Sequence, residues 1–433
     1  MSLYHLQLKI VNRNRSCEGE DKVNKKKLIQ LKRRAFAIPL VLVTIMILFA
    51  MGVGLLSLGL QGRTYSIRIA SDITARCAAD SGLTMALFEM NEKLQAASWN
   101  YSELPEATNI SLPYCDAVCS YIVTGDPGSG YSITSIGKSG QAQRTVRATI
   151  DLKGLFDNAV LTKANLILKS GTKINGYNSL DALDTDTEAD IATQSTSESS
   201  ITLNTGVAVN GDVRVGIGGN PDTAIKDLGA TIAGFKYGAT ENDPLSQITA
   251  PTSLFYMGTA IAAKGNTVKI SPANSGTYTG ISLKSDVQPG VLEVGGGAVA
   301  LHITGDIEVG QSCEIVVKDG SSLILYVDSD IHCRENSGIN VETPAKEAET
   351  LKLYATGEAA QYFDIKAKSQ WVGVIYAPNT DVDLYANGDV YGSVVANNFE
   401  FKAGGNYNYD KALKKVKIDD EGVRFVIKRW KEE

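Results

Sequence analysis

The sequence predicts a mainly β protein that begins with one long transmembrane α-helix and ends in a right-handed β-helix, or solenoid. Three observations predict this fold class. An apolar run of 26 residues lies near the N-terminus. The 433 residues include 41 glycines among many Ser, Thr, Asn and Asp, a composition typical of turn-rich β proteins. Short apolar strands separated by Gly-Asp or Ser-Asp pairs recur along the second half of the chain.

The apolar run, Ala35 to Leu60, predicts a membrane anchor. It contains no ionisable side chain, and about 20 apolar residues are enough to span a bilayer as a helix. A buried core helix of this length would carry a polar stripe, and a cleaved secretory signal has a shorter apolar region of ~7–15 residues. We therefore expect a single-pass anchor in the inner (cell) membrane.

The charges on either side of the run predict its orientation. Seven basic residues lie in 22–34, directly before the run, and three lie in 61–80, directly after it: Lys22, Lys25, Lys26, Lys27, Lys32, Arg33 and Arg34, then Arg63, Arg68 and Arg76. The flank with more Lys and Arg stays in the cytoplasm. Residues 1–34 are therefore expected to be a cytoplasmic basic leader, and the chain after Leu60 is expected to be extracytoplasmic or at the cell surface.

Helical character continues past the membrane, and short strands follow. One apolar helix face is predicted by spacings of three and four residues between Leu83, Ala86, Leu87, Met90 and Leu94. Between Tyr121 and Leu152 three alternating runs are separated by glycine-containing turns, the pattern of a β-meander. We therefore expect the transmembrane and amphipathic helix over 35–98 and the meander over 99–153.

The N-terminal text "KRRAFAIPLVLVTIMILFAMGVGLLSLG", followed by "ADSGLTMALFEMNEKL", resembles the N-terminus of PilX-like minor pilins and related pseudopilins. In that family a prepilin peptidase cuts before a Phe, which matches Ala35 and Phe36 here. Ala35 stands where the family usually has Gly, and Leu40 stands where its fifth mature residue is often Glu. The resemblance implies a pilin-like helix and sheet. Without that Glu it implies a minor or accessory subunit.

Four segments share an apolar alternation around a Gly-Asp or Ser-Asp pair: "VAVNGDVRV" (207–215), "LHITGDIEV" (301–309), "LYVDSDIHC" (325–333) and "LYANGDVYG" (384–392). The second and third are 24 residues apart, a suitable length for one solenoid coil. Stacked coils bury their apolar faces against their neighbours. The pairs then lie at corners, where Gly permits positive φ and Asp bonds to the turn backbone. The predicted corner residues are Gly211, Asp212, Gly305, Asp306, Ser329, Asp330, Gly388 and Asp389.

The aspartates also have a second interpretation, a carbohydrate-active β-helix enzyme or a glycan-binding module. In the enzyme, two carboxylates would form an acid–base pair. The candidates are Asp328, Asp330, Asp381, Asp383 and Asp389. They fall at turn positions, and no Arg or His accompanies them at a repeating position, which favours structural corners. We therefore expect no enzymatic activity.

This region also resembles a domain of unknown function found after PilX-like N-termini in bacterial envelope proteins. The matching text is "INGYNSLDALD", "VNGDVRVGIGGNP", "GVIYAPNTDVDLYANGDVYGSVVANNFEF" and "NYNYDKAL". Asn408 stands where that family usually has His. The resemblance implies architecture and a cell-envelope context, and it implies no activity.

An acidic segment, "DALDTDTEAD" (181–190), has carboxylates at alternate positions: Asp184, Asp186, Glu188 and Asp190. An EF-hand calcium loop needs Gly at its sixth position and Glu at its twelfth. Counted from Asp184, those positions hold Ala189 and Ser195. A solvated acidic loop is therefore favoured, and calcium binding is the alternative.

The cysteines separate by predicted compartment. Cys17 lies in the leader, and the other five lie outside the cytoplasm, where disulfides persist. Cys313 and Cys333 are 20 residues apart, close to one coil, and Cys115 and Cys119 can close a short loop. Both pairs are disulfide candidates, and Cys77 is left over. A metal site built from Cys313, Cys333, His302 and His332 matches no zinc spacing, so we expect no metal and no cofactor.

The remaining boundaries and the expected function complete the prediction. Residues 154–200 are expected to be a connecting segment with the acidic loop, 201–410 the β-solenoid-like domain and 411–433 a C-terminal tail. The tail run "VRFVIKRW" is expected to cap the solenoid as a final strand or, alternatively, to contact the membrane surface. A net charge of −6 gives no basic field for nucleic acid.

The expected function is that of a membrane-anchored, extracytoplasmic structural component of a type IV pilus or a type II secretion-type apparatus. Its expected partners are the membrane bilayer, other pilin-like or secretion-apparatus subunits that bind the N-terminal helix, and surface glycans. A solenoid outside the membrane offers a long, rigid, polar surface, which suits adhesion or spacing.

Overall fold

The structure, a computed structural model, describes residues 22–433 apart from 97, 98, 100–102, 127–129, 182, 185, 241, 242, 369, 403 and 419. The side chains of 22–37, 95 and 96 also lie outside the described part. The protein is mainly β with one long apolar N-terminal helix, which confirms the coarse fold class predicted from the sequence. Contacts divide the chain into two compact units, 1–81 with 109–120 and 136–145, and 82–108 with 121–135 and 146–433.

The N-terminal helix α1, Lys22–Ala96, is 75 residues long. It therefore starts before the predicted position, within the basic segment that precedes the apolar run. Every described side chain from 38 to 70 is exposed. Further along, three of the five residues of the predicted apolar face, Leu83, Ala86 and Met90, are buried. The other two, Leu87 and Leu94, are half-buried.

A five-stranded sheet has the order β1-β2-β3-β4-β32. Its strands are β1 (Glu106–Ser111), β2 (Val118–Asp126), β3 (Gly130–Ser139), β4 (Ala142–Lys153) and β32 (Arg424–Glu432). The three predicted meander strands correspond to β2, β3 and β4. The C-terminal run does not cap the stacked strands as expected, because β32 pairs antiparallel with β4, with Phe425 opposite Leu152. The last strand therefore covers the edge that β4 would otherwise leave open.

Most of the other strands are short, except for two strands of 16 and 12 residues near the end of the series. They are β5 (Val160–Thr162), β6 (Leu166–Leu168), β7 (Lys173–Tyr177), β8 (Ile191–Thr193), β9 (Ile201–Leu203), β10 (Ala208–Val209), β11 (Val213–Val215), β12 (Ile225–Asp227), β13 (Thr231–Ile232), β14 (Lys236–Gly238), β15 (Tyr256–Gly258), β16 (Ile261–Lys264), β17 (Thr267–Ile270), β18 (Gly276–Tyr278), β19 (Ile281–Lys284), β20 (Val291–Val294), β21 (Ala298–Ile303), β22 (Ile307–Val309), β23 (Glu314–Val317), β24 (Ser322–Val327), β25 (Ile331–Cys333), β26 (Gly338–Val341), β27 (Leu351–Ala355), β28 (Gln361–Ala367), β29 (Trp371–Ala386), β30 (Val390–Phe401) and β31 (Asn406–Asp410). A short helix α2 (Pro221–Ala224) and three 3-10 turns, Pro272–Asn274, Ala348–Thr350 and Lys411–Lys414, lie between them.

Strands β5–β31 pair side by side in parallel. We call them the parallel stack. Leu301 lies opposite Leu325, which gives the 24-residue offset predicted from Gly305 and Ser329. Offsets elsewhere differ: Leu323 lies opposite Leu351, and Trp371 lies opposite Val390. Residues in register form one continuous buried ladder: Leu301, Leu325, Leu353, Ile375, Val394, Val160, Ile191 and Val213. Burying each such side chain contributes roughly 1.5–3 kcal/mol.

The order of strands in the parallel stack differs from their order in the chain. β30 pairs with β5 and β6, so the first strands of the stack lie against its last long strand. From β5 the chain builds outward as far as β14. It resumes at β15, from which successive pairings lead back to β30. Residues 239–255, which we call the crossover segment, therefore connect the two opposite ends of the stack.

The structure corrects one predicted boundary, the start of the stack at residue 201. Residues 154–200, expected to be a connecting segment, contain β5–β8, and the stack therefore starts before residue 201. The prediction failed because these strands are only three to five residues long and are separated by polar turns. Such short runs show too little alternation to be recognised as strands.

Candidate functional site

The exposed apolar part of α1 is the first candidate site. Its side chains include Leu40, Phe49 and Leu58, which are 66%, 73% and 66% exposed. Within Ile38–Leu94 the helix is long and apolar enough to cross a membrane. The side chains of Ala35 and Phe36 lie outside the described residues, so cleavage between them stays a prediction.

Two of the predicted corner glycines, Gly211 and Gly305, lie close to the backbone of another segment of the parallel stack. A Cβ on Gly211 would be 2.4 Å from the carbonyl oxygen of Ala189, and one on Gly305 would be 2.4 Å from that of Thr279. Neither glycine has positive φ. Glycine is therefore required at these two positions for close approach of the neighbouring backbone, and not for the left-handed conformation that was expected.

The predicted corner aspartates bind backbone amides of a neighbouring segment of the parallel stack. Asp212 accepts a hydrogen bond from the amide of Phe235 at 2.7 Å, and Asp330 accepts one from the amide of Tyr362 at 2.8 Å. Asp306 accepts from the amide of Asp330 at 3.3 Å and from the hydroxyl of Ser329 at 2.5 Å. These carboxylates satisfy amides at the corners, which is a structural task.

The other carboxylates of the enzyme interpretation also have structural partners. Asp328 binds His302 at 2.8 Å and Thr356 at 2.6 Å. Asp381 accepts hydrogen bonds from Asn397 at 2.9 Å and Asn398 at 2.7 Å. Asp383 forms an ion pair with Lys402 at 2.5 Å and accepts the hydroxyl of Tyr362, and Asp389 accepts from Asn406 at 3.0 Å.

One shallow groove gathers several of these groups on the outer face of the parallel stack. It has a volume of 270 Å³, and its polar lining includes Asn165, Tyr362, Asp381, Asp383, Asn398 and Glu400. Tyr362 is 39% exposed there. Carboxylates, amides and a phenol in one groove can bind hydroxyl-rich ligands through hydrogen bonds.

The acidic segment is held by a lysine. Lys411 lies 2.5 Å from Asp186 and 3.5 Å from Asp184. Each of these two carboxylates also accepts the backbone amide two residues on, at 3.0 Å. A hydrogen bond from Asn178 lowers the pKa of Asp184, and one from Lys411 lowers the pKa of Asp186. Two of the four alternating carboxylates are therefore bound to groups of the protein.

The other two alternating carboxylates lie near a corner aspartate. Ligand oxygens of Glu188, Asp190 and Asp212 lie within 4.8 Å of one another, which is close enough to share one cation. Asp190 already accepts the amide of Asp212 at 2.8 Å, and Asp212 accepts the amide of Phe235. Calcium binding here stays a prediction.

The cysteines lie apart in the register of the parallel stack. Cys333 lies opposite Val309, whereas Cys313 directly precedes Glu314, which lies opposite Gly338. Both are buried free thiols, and burial raises the pKa of Cys333 to about 12. Cys115 is exposed, Cys119 is buried, and both are free. The register therefore gives no support to a link between Cys313 and Cys333.

The sequence analysis missed Asp243, which anchors the crossover segment. Its carboxylate lies 2.6 Å from Lys153, 2.7 Å from Arg214 and 3.2 Å from Arg424. Burial opposes ionisation, but hydrogen bonds from Lys153 and Arg214 outweigh it and lower the pKa of Asp243. One carboxylate thus joins β4, β11 and β32 to the crossover segment. A lone Asp in a polar stretch gives no sequence signal for such a role.

A second missed group is Glu421. The hydroxyl of Tyr326 donates to its carboxylate, and the Tyr326 ring stacks on Tyr354 at a centroid distance of 5.4 Å. The second carboxylate oxygen is buried without a hydrogen-bond partner among the described residues. Burial raises the pKa of Glu421, and the Tyr326 hydrogen bond and the charge of Lys352 offset this only in part.

Comparisons with known proteins give a match to a domain family and weak structural similarity to solved structures. A family described as "Domain of unknown function (DUF7305)" matches residues 256–416. No curated protein sequence matches the chain. The crystal structure of the competence-associated pilin ComZ from Thermus thermophilus is similar at 13% identity and a TM-score of 0.23, over 84% of this chain and 97% of that chain. A TM-score this low does not establish a common fold.

Proposed function

We propose that the protein is a membrane-anchored, extracytoplasmic structural component, a minor pilin-like or pseudopilin-like subunit of a type IV pilus or a type II secretion-type apparatus. The observation that carries this proposal is the apolar part of α1, whose described side chains are all exposed from residue 38 to 70. Such a surface is stable only in a bilayer or against other apolar helices. Leu40 cannot supply a carboxylate to a neighbouring subunit, which favours an accessory position.

In this proposal the parallel stack is a right-handed β-solenoid that serves adhesion or spacing. Its support is the parallel pairing of successive strands and the buried ladder that runs through them. The corner aspartates bind backbone amides of adjacent coils, so the polar outline of the solenoid is part of its rigid framework. A rigid, regular surface of this type suits contact over an extended area.

Topology reporters test the anchor. A reporter that is active only in the cytoplasm should give no signal when fused after residue 98 and should give signal when fused before Ala35. The reason is the excess of basic residues before the apolar run. Signal from both fusions, or only from the fusion after residue 98, would contradict the proposed orientation.

A second candidate function is glycan binding in the groove near Tyr362. The specific observation is the cluster of carboxylates and amides beside a partly exposed phenol. Five single variants separate the candidates: Asp328→Asn, Asp330→Asn, Asp381→Asn, Asp383→Asn and Asp389→Asn. If the carboxylates are structural, folded and displayed variants behave as wild type toward glycans. Loss of glycan binding in Asp381→Asn and Asp383→Asn alone would favour the groove as a binding site.

If the protein is an enzyme, the Asp→Asn variants should give a different result. If the wild-type protein degrades a polysaccharide and one Asp→Asn variant abolishes turnover while the fold is intact, the purely structural proposal is wrong. Stability and surface display of each variant are measured in parallel, because Asp330 and Asp328 also hold backbone and side-chain partners.

A further inference from the structure

A wedge-shaped pocket lies between α1 and the turn that joins β3 to β4. A Cβ on Gly137 would be 2.0 Å from the carbonyl oxygen of Ala75, so strand and helix touch there. Ser71 lies one helical turn before Ala75. A Cβ on Gly140 would be 3.6 Å from the hydroxyl of Ser71, which is an ordinary contact distance. Before Ser71 the two elements separate, and a pocket of 720 Å³ extends to Thr64. The wedge therefore opens toward the apolar run.

The pocket combines one cation with an apolar floor. Its helical lining includes Thr64, Ile67, Arg68 and Ser71, and its other wall is Gly140, Gln141 and Ala142. The acidic residue at its edge, Asp72, is neutralised by a two-point contact with Arg144, at 2.7 and 2.6 Å. Among the described residues, Arg68 has no ion-pair partner. The unpaired charge in the pocket is therefore positive.

The position of the pocket along the helix points to the membrane surface. Thr64 follows the end of the apolar run, Leu60, by four residues, ~6 Å along a helix axis. The headgroup layer on each side of the hydrocarbon core is ~5–8 Å thick. Helical side chains point toward the N-terminus, so the guanidinium of Arg68 is directed back toward Thr64 and the bilayer.

We propose that this pocket binds the headgroup of an anionic glycerophospholipid, with Arg68 bound to the phosphate and Ile67 and Ile69 against the glycerol and upper acyl region. A guanidinium matches phosphate in geometry and charge. The inference rests on the proposed membrane anchor and adds a specific lipid site beside it.

Photocrosslinking tests the site in the full chain reconstituted in lipid nanodiscs. The probe is phosphatidylglycerol with a diazirine in its headgroup, diluted in phosphatidylcholine, and labelled peptides are mapped by mass spectrometry. In wild type, label is expected in the peptides that contain residues 64–72 and 140–144. Arg68→Gln should lower labelling of these peptides about tenfold, the effect of losing one charge-assisted hydrogen bond to phosphate.

Two further variants separate a built pocket from general attraction. Arg63→Gln removes the same charge from the same layer, but Arg63 does not line the pocket, so its labelling should stay within twofold of wild type. Ala142→Trp fills the pocket without a change of charge and should lower labelling as Arg68→Gln does. Near-UV circular dichroism checks that each variant is folded.

The possible results distinguish a failure of the proposed lipid site from a failure of the proposed membrane anchor. If the chain does not enter the nanodiscs, the proposed anchor fails. If it enters and Arg68→Gln labels like Arg63→Gln, or label is spread along α1 with no preference for the pocket, the lipid site is refuted while the anchor stands.

Discussion

Replacing Asp243 by Asn should detach the crossover segment from the parallel stack. The substitution keeps the shape of the side chain and removes the charge that Lys153, Arg214 and Arg424 share. Removing one partner of a buried ion pair costs about 3–5 kcal/mol. Here the three cations are 19–29% exposed, and Lys153 keeps Asp157 at 3.5 Å. We therefore expect a smaller loss of about 2–4 kcal/mol.

The assay is thermal unfolding of the full chain in detergent, with hydrogen exchange read in parallel. For a cooperative unit of about 300 residues, a loss of about 2–4 kcal/mol lowers Tm by about 3–6 °C. Amides of residues 244–254 should exchange faster in Asp243→Asn, because the anchor of this segment is lost. Asp151→Asn is the matched control: its ion pair with Lys428 is equally short, 2.7 Å, but both side chains are more than half exposed. The control should cost less than about 1 kcal/mol.

The stabilising contribution of Asp243 should depend on pH. The pKa of Asp243 is lower in the folded protein than in the unfolded chain. Its contribution is therefore present above about pH 4, the unfolded value, and it is lost as pH falls through the folded pKa. The difference between wild type and Asp243→Asn should shrink on acidification. If Asp243→Asn unfolds at the wild-type temperature at pH 7 and residues 244–254 keep their protection, the anchoring role is refuted.

Three other predictions concern single sites. Glu421→Gln keeps an acceptor for the tyrosine hydroxyl and removes a buried carboxyl group whose pKa is raised. The wild-type protein loses stability as pH rises through that pKa, because the buried carboxyl then ionises. The variant should therefore be more stable than wild type by about 1 kcal/mol at pH 8 and equal to it at pH 3. A less stable variant at pH 8 would contradict this. Gly305→Ala should cost about 2–4 kcal/mol in chemical unfolding, because its Cβ has no room, whereas Gly405→Ala, with open space around it, should cost little; equal losses would rule out the close approach. Cys313 and Cys333 should be recovered as buried free thiols in non-reducing peptide mapping, and a linked peptide would show that the register is wrong.

Apolar periodicity in the sequence predicted the helix and those strand pairings that depend on residues close together in the chain. The apolar run and the helical spacing of Leu83, Ala86 and Met90 gave the helix and its buried face. The recurrence between 301–309 and 325–333 gave the register of these strands, because equivalent positions of the two segments pair in parallel. The expected positive φ is not found at Gly211 or Gly305, where close approach of the neighbouring backbone requires glycine.

Sites that join distant segments could not be predicted. Asp243 binds residues that are 90, 29 and 181 positions away, and no periodicity relates them. The same holds for the pocket beside Arg68, where the helix and the β3–β4 turn meet only in the folded chain. Sequence reasoning assigned Arg68 to the membrane flank, and it could not show that its neighbours form a cavity.

The order of the parallel stack explains why a long segment has to be fixed along it. β5 and β6 have β30 on one side and β8 and β9 on the other, so the buried ladder is continuous only when residues more than 200 positions apart have paired. Because these first strands lie in the middle of the stack, the backbone has to pass from one end of the stack to the other. The crossover segment makes that connection with Ile248 buried in the core and Leu245 and Leu254 packed against it. Specific polar bonds also set its position: Asp243 to three cations, Ser246 to the hydroxyl of Tyr376 at 2.7 Å and Gln247 to the carbonyl of Gly357 at 2.7 Å. Charge-assisted hydrogen bonds can hold such a segment because they are directional and are lost only when the geometry is lost.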